Sequence, residues 1–173
     1  MMRINHIGRK LIWVFNLAWA IIVGLIFLTP YLAHIGSPVA KYLYLLFRPT
    51  CHQRPERSFF LWGHKMAVCA RCTGTYISLF FWGLVFGIIL RFKRIKALPL
   101  WGFALLLLPT AVDGGTQFVG LRESTNILRL ITGILSGLAV VWFVYPQIYL
   151  LEEEQPLSDE LAYSGEKASL RQG

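Results

Sequence analysis

The chain has 173 residues, the length of one domain, of which 55% are hydrophobic and 15% charged, with a mean hydropathy of +0.54. A soluble domain carries about a quarter of its residues charged, and here the apolar residues gather in long runs, so an ordinary soluble fold is excluded. The formal net charge of +8 belongs to basic residues crowded at the ends of those runs, where the positive-inside rule and anionic headgroups account for them; no nucleic-acid motif accompanies them, and nucleic acid is not an expected partner.

Arg3, Arg9 and Lys10 precede an apolar run over 11–28. That run is longer than a signal-peptide core of roughly 7–15 residues and no small-x-small cleavage site follows it, so it reads as a retained membrane span. Residues 31–72 stay outside the bilayer. Within them 38–48 (PVAKYLYLLFR) is too short to cross, and its Lys41, Tyr42, Tyr44 and Arg48 suit headgroups, the mark of an interfacial helix. A further short element at 58–62 is expected to dip into the interface.

The second span is expected over 73–90, closed by Arg91, Lys93, Arg94 and Lys96. The third covers 97–112, and the polar loop DGGTQFVGLRESTN follows over 113–126, with Gly114 and Gly115 as candidate helix breakers. The fourth runs over 127–151, with Ser124 as its expected cap. The acidic segment 152–173 has no apolar period and reads as a disordered tail. The fold expected is therefore an all-α integral membrane protein: one membrane domain over 1–151 with four transmembrane helices, a short interfacial helix and a cysteine-containing loop. Four crossings put the loops before spans two and four on one side. The compact RFKRIK turn and the basic N-terminus place both termini in the cytoplasm of a multi-pass cell-membrane protein.

All three cysteines lie within 51–72 (CHQRPERSFFLWGHKMAVCARC). Cys69 and Cys72 form a C-x-x-C pair and Cys51 supplies a third sulfur. Tetrahedral zinc is commonly held by four cysteines or by three and a histidine, with His64 as the easier fourth ligand and His52, adjacent to Cys51, as the other. A redox reading competes. Cys72 begins a helix beside Arg71, where the dipole and the charge lower a thiol pKa, and thiol–quinone membrane proteins carry a C-x-x-C at such a place. A plain disulfide that uses Cys51 is the third reading.

The second constellation is Asp113, Gln117, Arg122, Glu123, Ser124, Thr125, Asn126 and Arg129. An acid and arginines at membrane depth are costly unless paired, and an Asp113–Arg122 or Asp113–Arg129 pair that pins two helices is the structural reading. The functional reading is a pocket in which Arg122 and Arg129, with Gln117, Asn126, Arg54 and Arg57 and with Lys65 and Arg71 on the same face, hold an anionic headgroup, a lipid-linked phosphate or another anion. In it Asp113 or Glu123 handles protons. A zinc-stabilised module without catalysis is the alternative. Gly133 and Gly137 have the spacing of a close helix contact.

CHQRPERSFF, CARCTGTY, DGGTQ and RESTNILRLITG together resemble a family of small prokaryotic integral membrane proteins known as domain of unknown function 2085. The resemblance covers about 51–137 and implies a multi-span membrane protein, with no activity attached. Asp113, Gln117, Arg122, Asn126, Gly133 and Gly137 are also similar to a pattern of the VanZ-like membrane proteins. Those lack the cysteine loop, and no function follows from that likeness.

Overall fold

The computed structural model describes residues 7–93 and 95–169, with side chains described for 8–93 and 95–148. Among the described residues the protein is almost entirely helical: α1 (Ile7–His34), α2 (Val39–Phe47), α3 (Ala70–Phe92), α4 (Leu100–Phe118) and α5 (Asn126–Ser169). A single hairpin of β1 (Phe60–Leu61) and β2 (His64–Lys65) lies between α2 and α3. The side chains of 149–173 lie outside the described residues, whereas the backbone of α5 runs on as helix to Ser169, through most of the segment 152–173 expected as a disordered tail.

Among the described residues three helices are long and apolar enough to cross a membrane, at Gly8–His34, Ala70–Phe92 and Asn126–Ile148. Their outward side chains are bare hydrocarbon: Val14, Leu17 and Ile21 on α1, and Phe81 and Ile88 on α3, are all exposed. Among helices packed in water such rows would be buried, so the protein is embedded in a bilayer. α4, expected as the third span, is a helix but falls outside this set. Its last turns are Asp113-Gly-Gly-Thr-Gln, and the helix passes through Gly114 and Gly115 without breaking, so polar residues dilute its apolar stretch.

The helices have a definite order. α1 runs antiparallel to α3 and α5, so that Ile12 packs with Leu79, Phe86, Leu90, Val141 and Tyr145 in one buried cluster. Inside it Asn16, 2% exposed, donates to Gly83 O at 3.0 Å and accepts from the Tyr145 hydroxyl at 2.9 Å. One amide thereby ties three helices together where lipid offers no alternative partner.

α3 and α5 run parallel and touch backbone to backbone. A Cβ on Gly74 would collide with Leu130 O, and one on Gly133 with Arg71 O. The Ser78 hydroxyl uses that closeness to donate to Ile134 O at 2.7 Å. α4 then returns along α5. Leu98 N donates to Trp142 O at 3.3 Å at one end of the contact, and at the other Thr110 Oγ1 donates to Thr132 O at 2.8 Å and lies 2.7 Å from Ser136 Oγ. Trp101, Leu105, Leu108 and Val112 form its exposed stripe.

The second buried cluster lies at the opposite end of α1 from the first: Ile26 with Phe47, Cys51, Met66, Ala67 and Val68. It anchors the segment between α2 and α3. The segment expected as an interfacial element at 58–62 is a hairpin with Phe60 opposite Lys65 and Leu61 opposite His64. Its two-residue turn, Trp62-Gly63, has both φ angles positive (51° and 76°), as a turn matching strand twist requires. Trp62 lies edge-on to Tyr31 at 5.7 Å, which pins the tip to the end of α1.

Candidate metal centre and arginine pocket

Cys51 follows α2, with its N–H on Phe47 O at 3.0 Å, and its side chain is 5% exposed within the second cluster. Cys69 precedes α3 in extended conformation, and Cys72 falls in that helix's first turn. Helix α3 therefore begins at Ala70 rather than at 73, and this winds the C-x-x-C so that both sulfurs turn toward Cys51. The three Sγ atoms all lie within 4.8 Å of one another and all three cysteines are free. Two backbone amides point at the Cys51 sulfur, Cys69 N at 3.1 Å and Gln53 N at 3.5 Å. Such N–H donors favour sulfur in its thiolate form. The hydrogen bond between Cys51 and Cys69 draws the Cys69 thiol well below the usual thiol range and pushes Cys51 up, so the neighbours favour a thiolate at Cys69. Thiolates are the form that binds metal.

Neither histidine joins this group among the described residues. His64, on β2, packs its ring against His34 of α1 at 6.2 Å. His52 is exposed on the surface of the loop.

Beside the sulfurs lies a polar network. Asp113, 3% exposed, is its hub. Oδ2 takes the Arg71 guanidinium, Oδ1 takes Arg122 at 2.8 Å, and Gln117 Nε2 donates to Oδ2 at 3.1 Å. Continuation of α4 through Gly114 makes this possible. It sets Gln117 one turn beyond Asp113, and a side chain at Gly114 would come within 3.2 Å of Arg71 Nη1. Gln117 Oε1 in turn accepts from Arg129 Nη2 at 3.2 Å, and Arg129 Nη1 donates to Asn126 Oδ1 at 2.8 Å. Asn126 Nδ2 reaches Ser58 O at 3.3 Å, which closes the network onto the cysteine loop.

Arg129 is 6% exposed and held by two neutral amides; its Nε, like that of Arg71, has no hydrogen-bond partner among the described residues. Arg54 and Arg57 flank and end the 3₁₀ turn Pro55–Arg57, exposed and half-buried respectively. Glu123 is exposed, and among the described residues no hydrogen bond or ion pair joins it, Arg54's guanidinium or Arg57's to the network. The Asp113–Arg122 pair is present, whereas Arg129 is connected to Asp113 through Gln117. The expected cap Ser124 gives way to its neighbour: Thr125 Oγ1 accepts Leu128 N at 3.2 Å at the start of α5.

Sequence reading assigned Arg71 an effect on thiol acidity and a place on the basic face offered to an anion, and missed its ion pair with Asp113. The available signal was its place in the first turn of an apolar helix, where an unpaired charge is costly. Nothing local named a partner forty-two residues away.

An integral membrane protein with a three-cysteine cluster and a buried arginine–aspartate network is thus the class that fold and site define. The family model described as "Predicted membrane protein (DUF2085)" matches residues 51–143, and the chain belongs to that family. An uncharacterised protein of Methanocaldococcus jannaschii is 43% identical over 127 residues, 70% of this chain and 81% of its own length. A second uncharacterised protein, from Methanothermobacter thermautotrophicus, is 43% identical over 94 residues, 54% of this chain and 83% of its own. No solved structure matches.

Proposed function

We propose that this is a four-crossing membrane protein in which a zinc-clipped cysteine loop holds an arginine pocket for the phosphate, or equivalent anion, of a lipid-linked ligand. Helix direction supports the fourth crossing. α3 and α5 run parallel, so the chain must return across the bilayer between them, and α4 lies antiparallel along α5 over that distance. With the basic turn at Arg91, Lys93 and Lys96 and the basic N-terminus on the cytoplasmic side, the cysteine loop and the pocket face outward.

The observation that carries the ligand reading is the charge balance. Arg71 and Arg122 pair with one carboxylate, and Arg129, joined to it only through Gln117, is buried against neutral amides with a nitrogen to spare. A buried guanidinium without an anion is costly, and a phosphate supplies the missing charge in a geometry that arginine matches bidentately. Both Asp113 oxygens are already engaged, so the carboxylate serves to orient the arginines better than to move protons. Arg54 and Arg57 on the loop above, with Gln117 and Asn126, complete the binding set.

Zinc is the metal that three close thiolates in a loop suit. Cys51, Cys69 and Cys72 would hold it, and since neither His52 nor His64 lies with them, a bound zinc could take a water or a ligand as well. Arg71 links the two halves, because it lies between the paired cysteines and its guanidinium rests on Asp113. A redox role is the second reading, favoured by the acidic Cys69 thiol at the helix start.

The test is thermal stability in detergent with lysophosphatidic acid as the probe, since a ligand that binds only the folded state raises the melting temperature. Wild-type protein is expected to be stabilised and an Arg129→Gln variant not. Equal shifts for both, or none for wild type, would overturn the pocket. Rapid reduction of a quinone by the dithiol form, lost in Cys72→Ser, would favour the redox reading.

A further inference from the structure

A second basic cluster lies apart from the Asp113 network, around an open cavity of about 550 Å³ between α2 and the hairpin. Lys41, Tyr44 and Arg48 come from α2 and its end, His52 and Gln53 from the loop after it, and Lys65 from β2; among the described residues no acidic one lines it. Its floor is fixed by hydrogen bonds. The Tyr44 hydroxyl donates to Lys65 O, Gln53 Nε2 donates to Tyr44 O at 2.7 Å, and Lys65 Nζ donates to Gln53 O at 2.7 Å. Gln53 itself is held at a φ of 51°, a left-handed conformation that a residue with a side chain rarely adopts. The loop is thus constrained into the shape that closes this depression.

The cations around it are underused. An ammonium has three donors, and the Lys65 group donates to one carbonyl and lies 5.3 Å from the centre of the Tyr44 ring. Lys41 and Arg48 are exposed, with no side-chain partner among the described residues. The surface next to the cavity is apolar: Tyr42, Leu45 and Leu46 of α2 are 69%, 48% and 59% exposed. A short helix with an apolar face outward and lysine and arginine beside it lies in the headgroup layer, apolar face toward the acyl chains.

We propose that this cavity binds a phosphate-bearing headgroup of an anionic phospholipid, with Lys41, Arg48 and Lys65 around the phosphate and the acyl chains along Tyr42, Leu45 and Leu46. The site is independent of the arginine pocket and of the metal reading. Its bound lipid holds α2 and the cysteine loop down on the leaflet.

The full chain is purified into phosphatidylcholine nanodiscs with increasing phosphatidylglycerol, and tightly held phosphatidylglycerol per chain is counted by native mass spectrometry. Wild type is expected to retain one more such lipid than a variant carrying Lys41→Gln and Arg48→Gln, whose affinity falls on the order of ten-fold or more at about 1 kcal/mol per basic residue near the surface. Both side chains are exposed, so the variant's melting temperature should match wild type. A control with Lys93→Gln and Lys96→Gln removes the same charge at the opposite end of the bundle and is expected to retain the lipid. Equal retention by the Lys41/Arg48 variant, or equal loss in the control, would overturn the site. Displacement of the lipid by millimolar inorganic phosphate would show that a free anion is the ligand and would overturn the lipid assignment.

Discussion

Replacing Asp113 by leucine removes the hub of the polar network while filling most of its volume. The Asp113 side chain is 4% exposed and that of Arg71 26%, so the change leaves one mostly buried guanidinium without a counter-charge. Removing one partner of a fully buried pair costs about 3–5 kcal/mol. The partial exposure of Arg71 reduces that figure. Arg122, whose side chain is 50% exposed, adds no more than the ~0–1 kcal/mol of a surface bridge. Polar contacts in membranes set a floor, averaging about 0.6 kcal/mol. The expected loss for Asp113→Leu is therefore about 2–4 kcal/mol. Arg71→Met leaves the carboxylate its second arginine and costs less. The double variant should recover about 1–3 kcal/mol relative to the sum of the two. Unfolding of all four proteins in mixed micelles, followed by circular dichroism, reads the cycle. Additivity within about 0.5 kcal/mol would refute the claim that the C-x-x-C arginine and the α4 acid act as one unit.

Further outcomes follow from the helix contacts. Gly133→Ala drives a Cβ into Arg71 O and should cost about 1–3 kcal/mol, whereas Gly115→Ala, with no atom in its way, should be neutral or gain up to about 1 kcal/mol from helix propensity; equal effects on unfolding would contradict the close α3–α5 approach. Asn16→Leu removes both bonds that join α1 to Gly83 and Tyr145 and should lower stability by about 1–3 kcal/mol. A Tyr145→Phe change in the same background should then have little further effect, and full additivity of the two would speak against a shared contact.

How far the fold was legible depended on whether the signal was local. Apolar length marked α1, α3 and α5 and the short α2, because burial in lipid is read residue by residue. Helix ends were not so marked. α1 continues to His34 past Pro30 because backbone hydrogen bonds must be satisfied internally near a membrane. α3 starts within the cysteine motif, where no helix signal precedes it. At Gly114 and Gly115 propensity pointed to a break, and tertiary pairing of Asp113 with Arg71 prevailed. The three sulfurs were legible from spacing alone. That His64 turns to His34, and that Arg71 rather than Arg129 meets Asp113, depends on how helices pack, which no local pattern encodes.

The central claim is that the cysteine loop is a metal clip, and the direct measurement is zinc per chain by plasma mass spectrometry, with thiol titration, on full-length protein purified without chelators under reducing conditions. About one zinc per chain is expected, with Cys51, Cys69 and Cys72 slow to alkylate, and loss of the metal in Cys51→Ser. Absence of stoichiometric zinc, with the three thiols reacting freely or two of them recovered as a disulfide, would contradict it.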